Sequence, residues 1–338
     1  MSCPLASEFG HVSLAPDRTR PLIAPSKLGT LRKQIAWIGN RFRSSNTAPI
    51  TREAYAHYYH TWGGSFILHP EVLHFFEDTY GVKTNFRGYF NGGACIAAIA
   101  TWGQYIAGDR NALRAHQLTD RVDFGYPALI LPVAPGSKCT VLYRSGFLLN
   151  LQRSQIGGAV FTRVKRMSIL KQIPEALPTG KKEFQLKERR FERLGGTSRD
   201  IQAFSPDEVA AIYLNLFQLR WNRRPHAIDS LKPTLSRLHR FLYGKVLSLK
   251  NRPVAIQINY RAETDRSICV DYVNGGVDKS FNGISPGSLL SYINGRDACA
   301  EARAKHKQIV YSYGKSNTEY KDQWCDQIAR GFTGFWMP

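Results

Sequence analysis

The sharpest alternation of apolar and polar positions lies between Ser267 and Trp324. Ser267 to Val273 is rich in β-branched residues and predicts a strand. Asn274-Gly275-Gly276 follows, and glycines that tolerate positive φ are expected to end that strand. Ser285-Pro286-Gly287 predicts a helix start: serine suits the cap, and proline suits the first helical position because its missing N–H has no partner there. Leu289, Ile293, Ala300 and Ala304 then recur as one helical face. Ile309 to Tyr313 predicts a second strand, ended by Gly314-Lys315. A helix N-terminus facing a glycine-rich loop can hold an anionic group on free backbone N–H donors, although many α/β folds carry such a unit with nothing bound.

The remaining pattern extends this unit. Thr51 to Tyr80 reads as two helices on either side of Trp62-Gly63-Gly64-Ser65, the second starting at His69-Pro70-Glu71. Thr84 to Phe90 and Ala94 to Trp102 predict a hairpin turning at Asn91-Gly92-Gly93. Ala128 to Val133 and Thr140 to Tyr143 predict short strands, Phe161 to Ile173 is ambiguous, and Lys181 to Leu194 is a charged helix stopped by Gly195-Gly196. Beyond it come a strand (Asp200 to Phe204), a helix opened by the capping box Ser205-Pro206-Asp207-Glu208, a second helix (Pro233 to Leu242) and a hairpin around Lys250-Asn251-Arg252-Pro253. The second half therefore runs β, α, α, β, β, β, α, β, and the first half offers a degenerate version of it. The expected organisation is residues 1–50 as a tail, 51–195 as one domain and 196–338 as another. Within the tail, Met1 to Pro25 reads as disordered. Residues 27–43 read as a basic amphipathic helix, with Leu28, Leu31, Ile35, Ile38 and Phe42 on one face.

Charge narrows the partners. The 338-residue chain carries a formal net charge of +20, and Arg144 to Arg199 alone holds 13 Lys/Arg against 4 Asp/Glu. Such a segment suits a polyanion or an anionic membrane surface, and equally a solvated helix face. No apolar run is long enough to cross a bilayer and no signal peptide is evident, so the chain is expected on the cytoplasmic side of the membrane. The six cysteines are scattered, with neither C-x-x-C nor Cys/His spacing, which suggests reduced thiols and no metal site.

The element order is similar to the Gcn5-related N-acetyltransferase fold, and its doubling resembles the tandem-domain acyltransferases. The expected fold class is therefore α/β with mixed sheets, in tandem acetyltransferase-like domains. Closer still, several stretches together resemble the macrophage-induced-gene family of bacterial virulence-associated proteins. They are Gly63-Gly64-Ser65 with His69-Pro70, Asp271 through Asp278, Ser285-Pro286-Gly287, Tyr313-Gly314-Lys315, and Tyr320-Lys321 with Trp324-Cys325. The resemblance covers about Tyr59 to Cys325. It implies a peripheral protein of the inner membrane connected with resistance to cationic antimicrobial peptides such as polymyxin, and with virulence; transcriptional activation has also been attributed to the family. Acetyl-CoA enzymes of this fold usually carry an Arg/Gln-x-x-Gly-x-Gly/Ala loop before the third helix. The corresponding Asn282 to Gly287 keeps glycines but not that spacing, and Pro286 removes one backbone donor, so the donor stays open between an acyl-CoA, an aminoacyl-tRNA and none.

Acyl transfer to an amine calls for a base, a donor-binding loop and polarisation of the carbonyl. Asp271 on the strand and Asp278 in the loop are the candidate bases. Asp271 fits a polar position at the sheet rim at least as well. Ser285, Gly287 and Ser288 could meet a phosphate at the helix start. Lys315, Tyr320, Lys321 and Trp324 could hold a phosphate or an adenine-like ring, or simply form an aromatic surface turn. Three functions compete: an acyl- or aminoacyltransferase modifying an envelope precursor, a non-catalytic membrane-associated resistance factor, and a nucleic-acid-binding regulator. The last ranks lowest because no helix-turn-helix, zinc finger or RNA-binding aromatic signature is present.

Overall fold

Four strands and two helices come first along the described chain: Asn46–Pro49 (β1), helices Arg52–Trp62 (α1) and Pro70–Tyr80 (α2), then Asn85–Asn91 (β2), Ala94–Trp102 (β3) and Tyr105–Ile106 (β4). The short helix Arg110–Ala115 (α3) precedes Cys139–Thr140 (β5), Ser145–Leu149 (β6), Ile156–Gly157 (β7) and Val160–Leu170 (β8). Helix Gly180–Arg193 (α4), strand Gly196–Asp200 (β9) and helices Pro206–Trp221 (α5) and Ile228–Leu238 (α6) follow. The chain then runs through Lys245–Leu249 (β10), Arg252–Glu263 (β11), Ser267–Val277 (β12), helix Pro286–Ala304 (α7), Gln308–Lys315 (β13) and Cys325–Thr333 (β14). This computed structural model describes residues 46–171, 180–281, 283–316, 321–322 and 324–334. The expected disordered tail, the basic helix at 27–43 and Tyr320 lie outside the described residues.

The same order of elements appears twice. In the first pass β1, α1, α2, β2, β3 and β4 build an antiparallel sheet in the order β1-β2-β3-β4. In the second pass β9, α5, α6, β10, β11 and β12 build β9-β10-β11-β12, again antiparallel. Only the second pass continues into a long helix and a parallel strand, β13 beside β12, the crossover that a helix makes possible. The fold is thus α/β with mixed sheets, a tandem arrangement of acetyltransferase-like frames. The larger sheet has eight strands, β6-β14-β8-β13-β12-β11-β10-β9, so β6 and β8 from before Gly195 share it with strands from after it.

Two apolar cores flank that sheet. One joins α1, α2 and the first sheet to α5, α6 and one face of β10 to β12, with Tyr59, Trp102 and Leu216 fully buried. The other seats α7 and α4 on the opposite face, with Phe191, Leu289 and Tyr311 at its centre. Local signals hold at several ends. Asn91-Gly92-Gly93 turns the β2–β3 hairpin with φ of +56° and +86° at the two glycines. The Ser205 hydroxyl accepts from Glu208 N while the Glu208 carboxylate accepts from Ser205 N, completing the capping box.

Other expectations are corrected. β12 does not end at Asn274-Gly275-Gly276 but runs on to Val277. Neither glycine adopts positive φ. A Cβ on Gly276 would stand 2.6 Å from the Leu216 backbone and one on Gly275 2.9 Å from the Ile256 carbonyl, so Gly276 serves close packing of α5 on the strand and Gly275 a close approach to β11, instead of a turn. Along α7, Leu289 and Ile293 are buried as expected, but Ala300 and Ala304 are exposed while Ala298, Cys299 and Ala302 are covered. The first two turns are enclosed nearly all round, so their pattern does not fix the face used later. Asp200 to Phe204 is the end of β9 and a 3-10 turn, α6 starts ahead of Pro233 and carries it inside, and residues 128–133 make only isolated bridges.

Candidate functional site

Strands β12 and β13 pair in parallel from Ser267–Gln308 to Asp271–Ser312, and the pairing stops there. Beyond that point β12 continues along β11, while β13 pairs with β8 on its other side. A bulge between Ile258 and Asn259 of β11 skips Val273 and resets which side chains of β12 face α7. The two strands therefore part, and the start of α7 lies over the opening.

The opening is a cavity of about 290 Å³ lined by Tyr272, Gly276, Val277 and Asp278 from β12 and its end, Ser285 to Ser288 and Ser291 from α7, and Tyr313 and Trp324. Ile256, Gln257, Arg220 and Lys279 complete it. Its floor is aromatic: Tyr313 stacks on Tyr311 (5.0 Å between centroids) and on Tyr272 (5.3 Å). Beside the rings runs a buried polar chain in which Asn294 Nδ2 donates to Gln257 Oε1, Gln257 Nε2 to the Ser291 hydroxyl, and Ser291 Oγ to the Gly287 carbonyl. The Tyr313 hydroxyl nears Ser291 and Tyr311 without good hydrogen-bond geometry, and burial holds it well above the usual phenol range. Ser285 takes a left-handed backbone (φ +51°) and makes no side-chain cap; its carbonyl accepts from the Ser288 and Leu289 N–H groups (3.0 Å each), and since Pro286 has no N–H, the Gly287 N–H is the first-turn donor left without an acceptor among the described residues.

The family model described as Mig-14 matches residues 69–331. The chain belongs to the Mig-14 family. Among solved structures, this Mig-14-family chain is similar to the C-terminal domain of a protein described as a lysylphosphatidylglycerol synthetase from Agrobacterium fabrum (11% identity, 74% of this chain and 80% of that one, TM-score 0.38). It is also similar to L-PGS from Bacillus licheniformis (13%, 79% and 93%, 0.39) and to a tandem GNAT protein from the clavulanic acid biosynthesis pathway (10%, 86% and 98%, 0.37). No curated protein matches it.

In this Mig-14-family chain Asp278, Ser285, Gly287, Ser288 and Trp324 converge on the one cavity. The others fall elsewhere. Asp271 sits where the strands part, but its side chain faces the core opposite α7, where it accepts a hydrogen bond from Ala128 N (3.4 Å). Burial pushes its carboxyl up to about 7. Lys321 is buried and donates to the carbonyls of Tyr313 and Lys315 (2.8 Å each), clamping the end of β13, and burial lowers its pKa. Lys315 lies outside the cavity, because Gly314 takes φ +73° and turns the strand.

Asp278 is a carboxylate already in use. Oδ1 accepts from the Ser280 amide and hydroxyl (3.0 and 2.7 Å) and Oδ2 pairs with Arg252. Burial alone would raise its pKa, but the Ser280 and Arg252 contacts outweigh it and hold the group below the usual carboxylate range. It organises the turn ahead of α7 and is a weak proton acceptor at neutral pH. Sequence reasoning missed Arg220, Lys279, Gln257, Ser291 and Asn294. Arg220 donates to the Gly275 carbonyl (3.1 Å) from α5, a contact made across the fold, and the polar chain joins residues on β11 and α7 that no local motif links.

Proposed function

We propose that the protein is an acyl- or aminoacyltransferase whose donor lies in the cavity between β12, β13 and α7, and that it acts on an envelope precursor at the cytoplasmic face of the inner membrane, contributing to resistance to cationic antimicrobial peptides. The observation that carries this reading is the parting of β12 from β13 at Asp271–Ser312 under the first turn of α7. An extended acyl carrier fits between strands that have stopped pairing, its anionic group at the helix start, with Lys279 and Arg220 at the edge. The transferred carbonyl would meet the Tyr272–Tyr313 floor. Attack by an amine forms the N–C bond, breaks the bond from the carbonyl to the carrier's sulfur or oxygen, and releases the amine proton to the leaving group or water.

A specific observation also favours a non-catalytic binding role. Of the two candidate bases, Asp278 is committed to Ser280 and Arg252 and Asp271 faces the far core, so neither carboxylate stands ready over the cavity. One variant separates the readings. Ser288→Asp puts a negative charge in the first turn of α7, where it favours the helix while repelling an anionic donor. The wild-type chain is expected to show a saturable thermal shift with one of acetyl-CoA, a longer acyl-CoA or a charged tRNA, and Ser288→Asp to lose it at unchanged melting temperature. Shift without transfer of labelled acyl group supports binding alone; no shift with any donor defeats the transferase reading.

A further inference from the structure

Past Gly314, a groove of about 1180 Å³ opens on the other side of the end of β13, about four times the volume of the α7 cavity. Its walls come from α3, the ends of β4, β6, β8 and β13, and β14. The described lining carries five arginines and two lysines and no acidic side chain. None of these cations forms an ion pair with a described residue, whereas elsewhere the arginines Arg252, Arg261 and Arg296 are paired.

The floor is the unusual part. Arg330 is only 9% exposed, packed at 4.1 Å from the Phe147 ring centre and 5.1 Å from that of Phe332. Its Nε has no hydrogen-bond partner among the described residues. The nearby carboxylate, Asp109, is spoken for: Oδ1 accepts from Asn111 N, and Oδ2 from the Ser145 hydroxyl and Gly146 N. Asp109 acts on Arg330 only at a distance, with no ion pair between them, and a buried guanidinium with a spare donor and no paired carboxylate is costly unless an anion completes it.

The rim decides between anions. Val164 is 90% exposed and Val160 53%, and Val164 stands between Arg163 and Lys165 in the bulge where β8 pairs with β14. Exposed aliphatic side chains flanked by cations suit a bilayer surface. A single-stranded nucleic acid would need open ring faces for its bases. Here Arg110 lies over Tyr126 (4.2 Å) and Lys165 and Arg330 over Phe332 (5.1 Å each), so the rings hold cations in place.

We infer that this groove binds the phosphate headgroup of an anionic glycerophospholipid, with Arg330 on the phosphate at the floor, Arg114, Arg144 and Lys165 around it, and Val160 and Val164 against the acyl region. This assignment stands apart from any transfer at α7. The test is co-sedimentation of the full-length chain with phosphatidylcholine vesicles with and without phosphatidylglycerol, and with bulk tRNA as a competitor. Wild type is expected to bind only the phosphatidylglycerol vesicles. Arg114→Glu/Lys165→Glu, whose side chains lie at the surface and leave the core intact, should weaken binding by more than about tenfold. Arg330→Met, which keeps the packing between the two rings, should weaken it with a melting temperature equal to or above that of wild type, and Val164→Asp should remove the part that survives high salt. Unchanged vesicle affinity in the first two variants overturns the assignment. So does a wild type that ignores vesicles but binds tRNA through the same residues.

Discussion

The two passes of the acetyltransferase-like frame differ most at one equivalent place, the loop between the fourth strand and the helix after it. In the first pass that loop holds Asp109, buried, which caps α3 and receives Ser145 and Gly146. Burial raises its pKa despite these donors, and α3 is only six residues long. In the second pass the loop holds Asp278, paired outward with Arg252, and the 19-residue α7 opens over a cavity. Among the described residues no full strand pairs with β4 on that side: it meets only Arg144, just ahead of β6, through one parallel bridge. The chain instead crosses to the second pass, where Gly125 comes against Val273, Tyr126 against Gly314, and Ala128 N reaches Asp271. One frame is plugged by its own carboxylate and lends its continuation to brace the other. The two passes share an element order, and the cavity between parting parallel strands lies in the second, under its long helix.

That contrast can be broken by substitution. The largest effect is expected at the plug: Asp109→Ala strands three donors in the interior and should cost roughly 4 kcal/mol, seen as a large fall in denaturation midpoint. Gly276→Val should cost about 3 kcal/mol, because its side chain collides with the α5 backbone 2.6 Å from the new Cβ; a loss below a fifth of that would show that helix and strand can separate freely. Asp271 gives a pH test. Its carboxyl, at about 7 when folded and near 3.8 in the unfolded chain, ionises first in the unfolded state. The stability it contributes below about pH 4 is therefore lost as pH rises to about 7, and Asp271→Asn should flatten that slope and melt higher than wild type at pH 8. A parallel fall in both proteins would place the carboxyl's titration elsewhere. The smallest expected change is Asp278→Asn, about 1 kcal/mol or less since Arg252 is largely exposed, with any change in donor binding exceeding the change in stability.

Much of the frame was legible in local signals. Asn91-Gly92-Gly93, His69-Pro70 and the Ser205 capping box act within a few residues, so they mark ends wherever they occur. The start of α7 was legible too, since Ser285, Gly287 and Ser288 lie within four residues of one another. Legibility failed where a residue's role depends on what crosses it. Gly275 and Gly276 looked like a turn because nothing in the chain nearby announces β11 close to the first and α5 lying on the second. Lys321 looked like a ligand contact, but it turns inward to two carbonyls of β13.

By itself, then, the sequence determined the order of elements, their doubling, the family and the place of the α7 loop, because caps, turns and periodicity are short-range. Only the tertiary structure decided which carboxylates are engaged, that Gly314 sends Tyr313 and Lys315 to different chambers, and that cations as distant as Arg114, Lys165 and Arg330 line one groove. Those facts rest on strands brought together from far along the chain, and burial and charge pairing arise only once they meet.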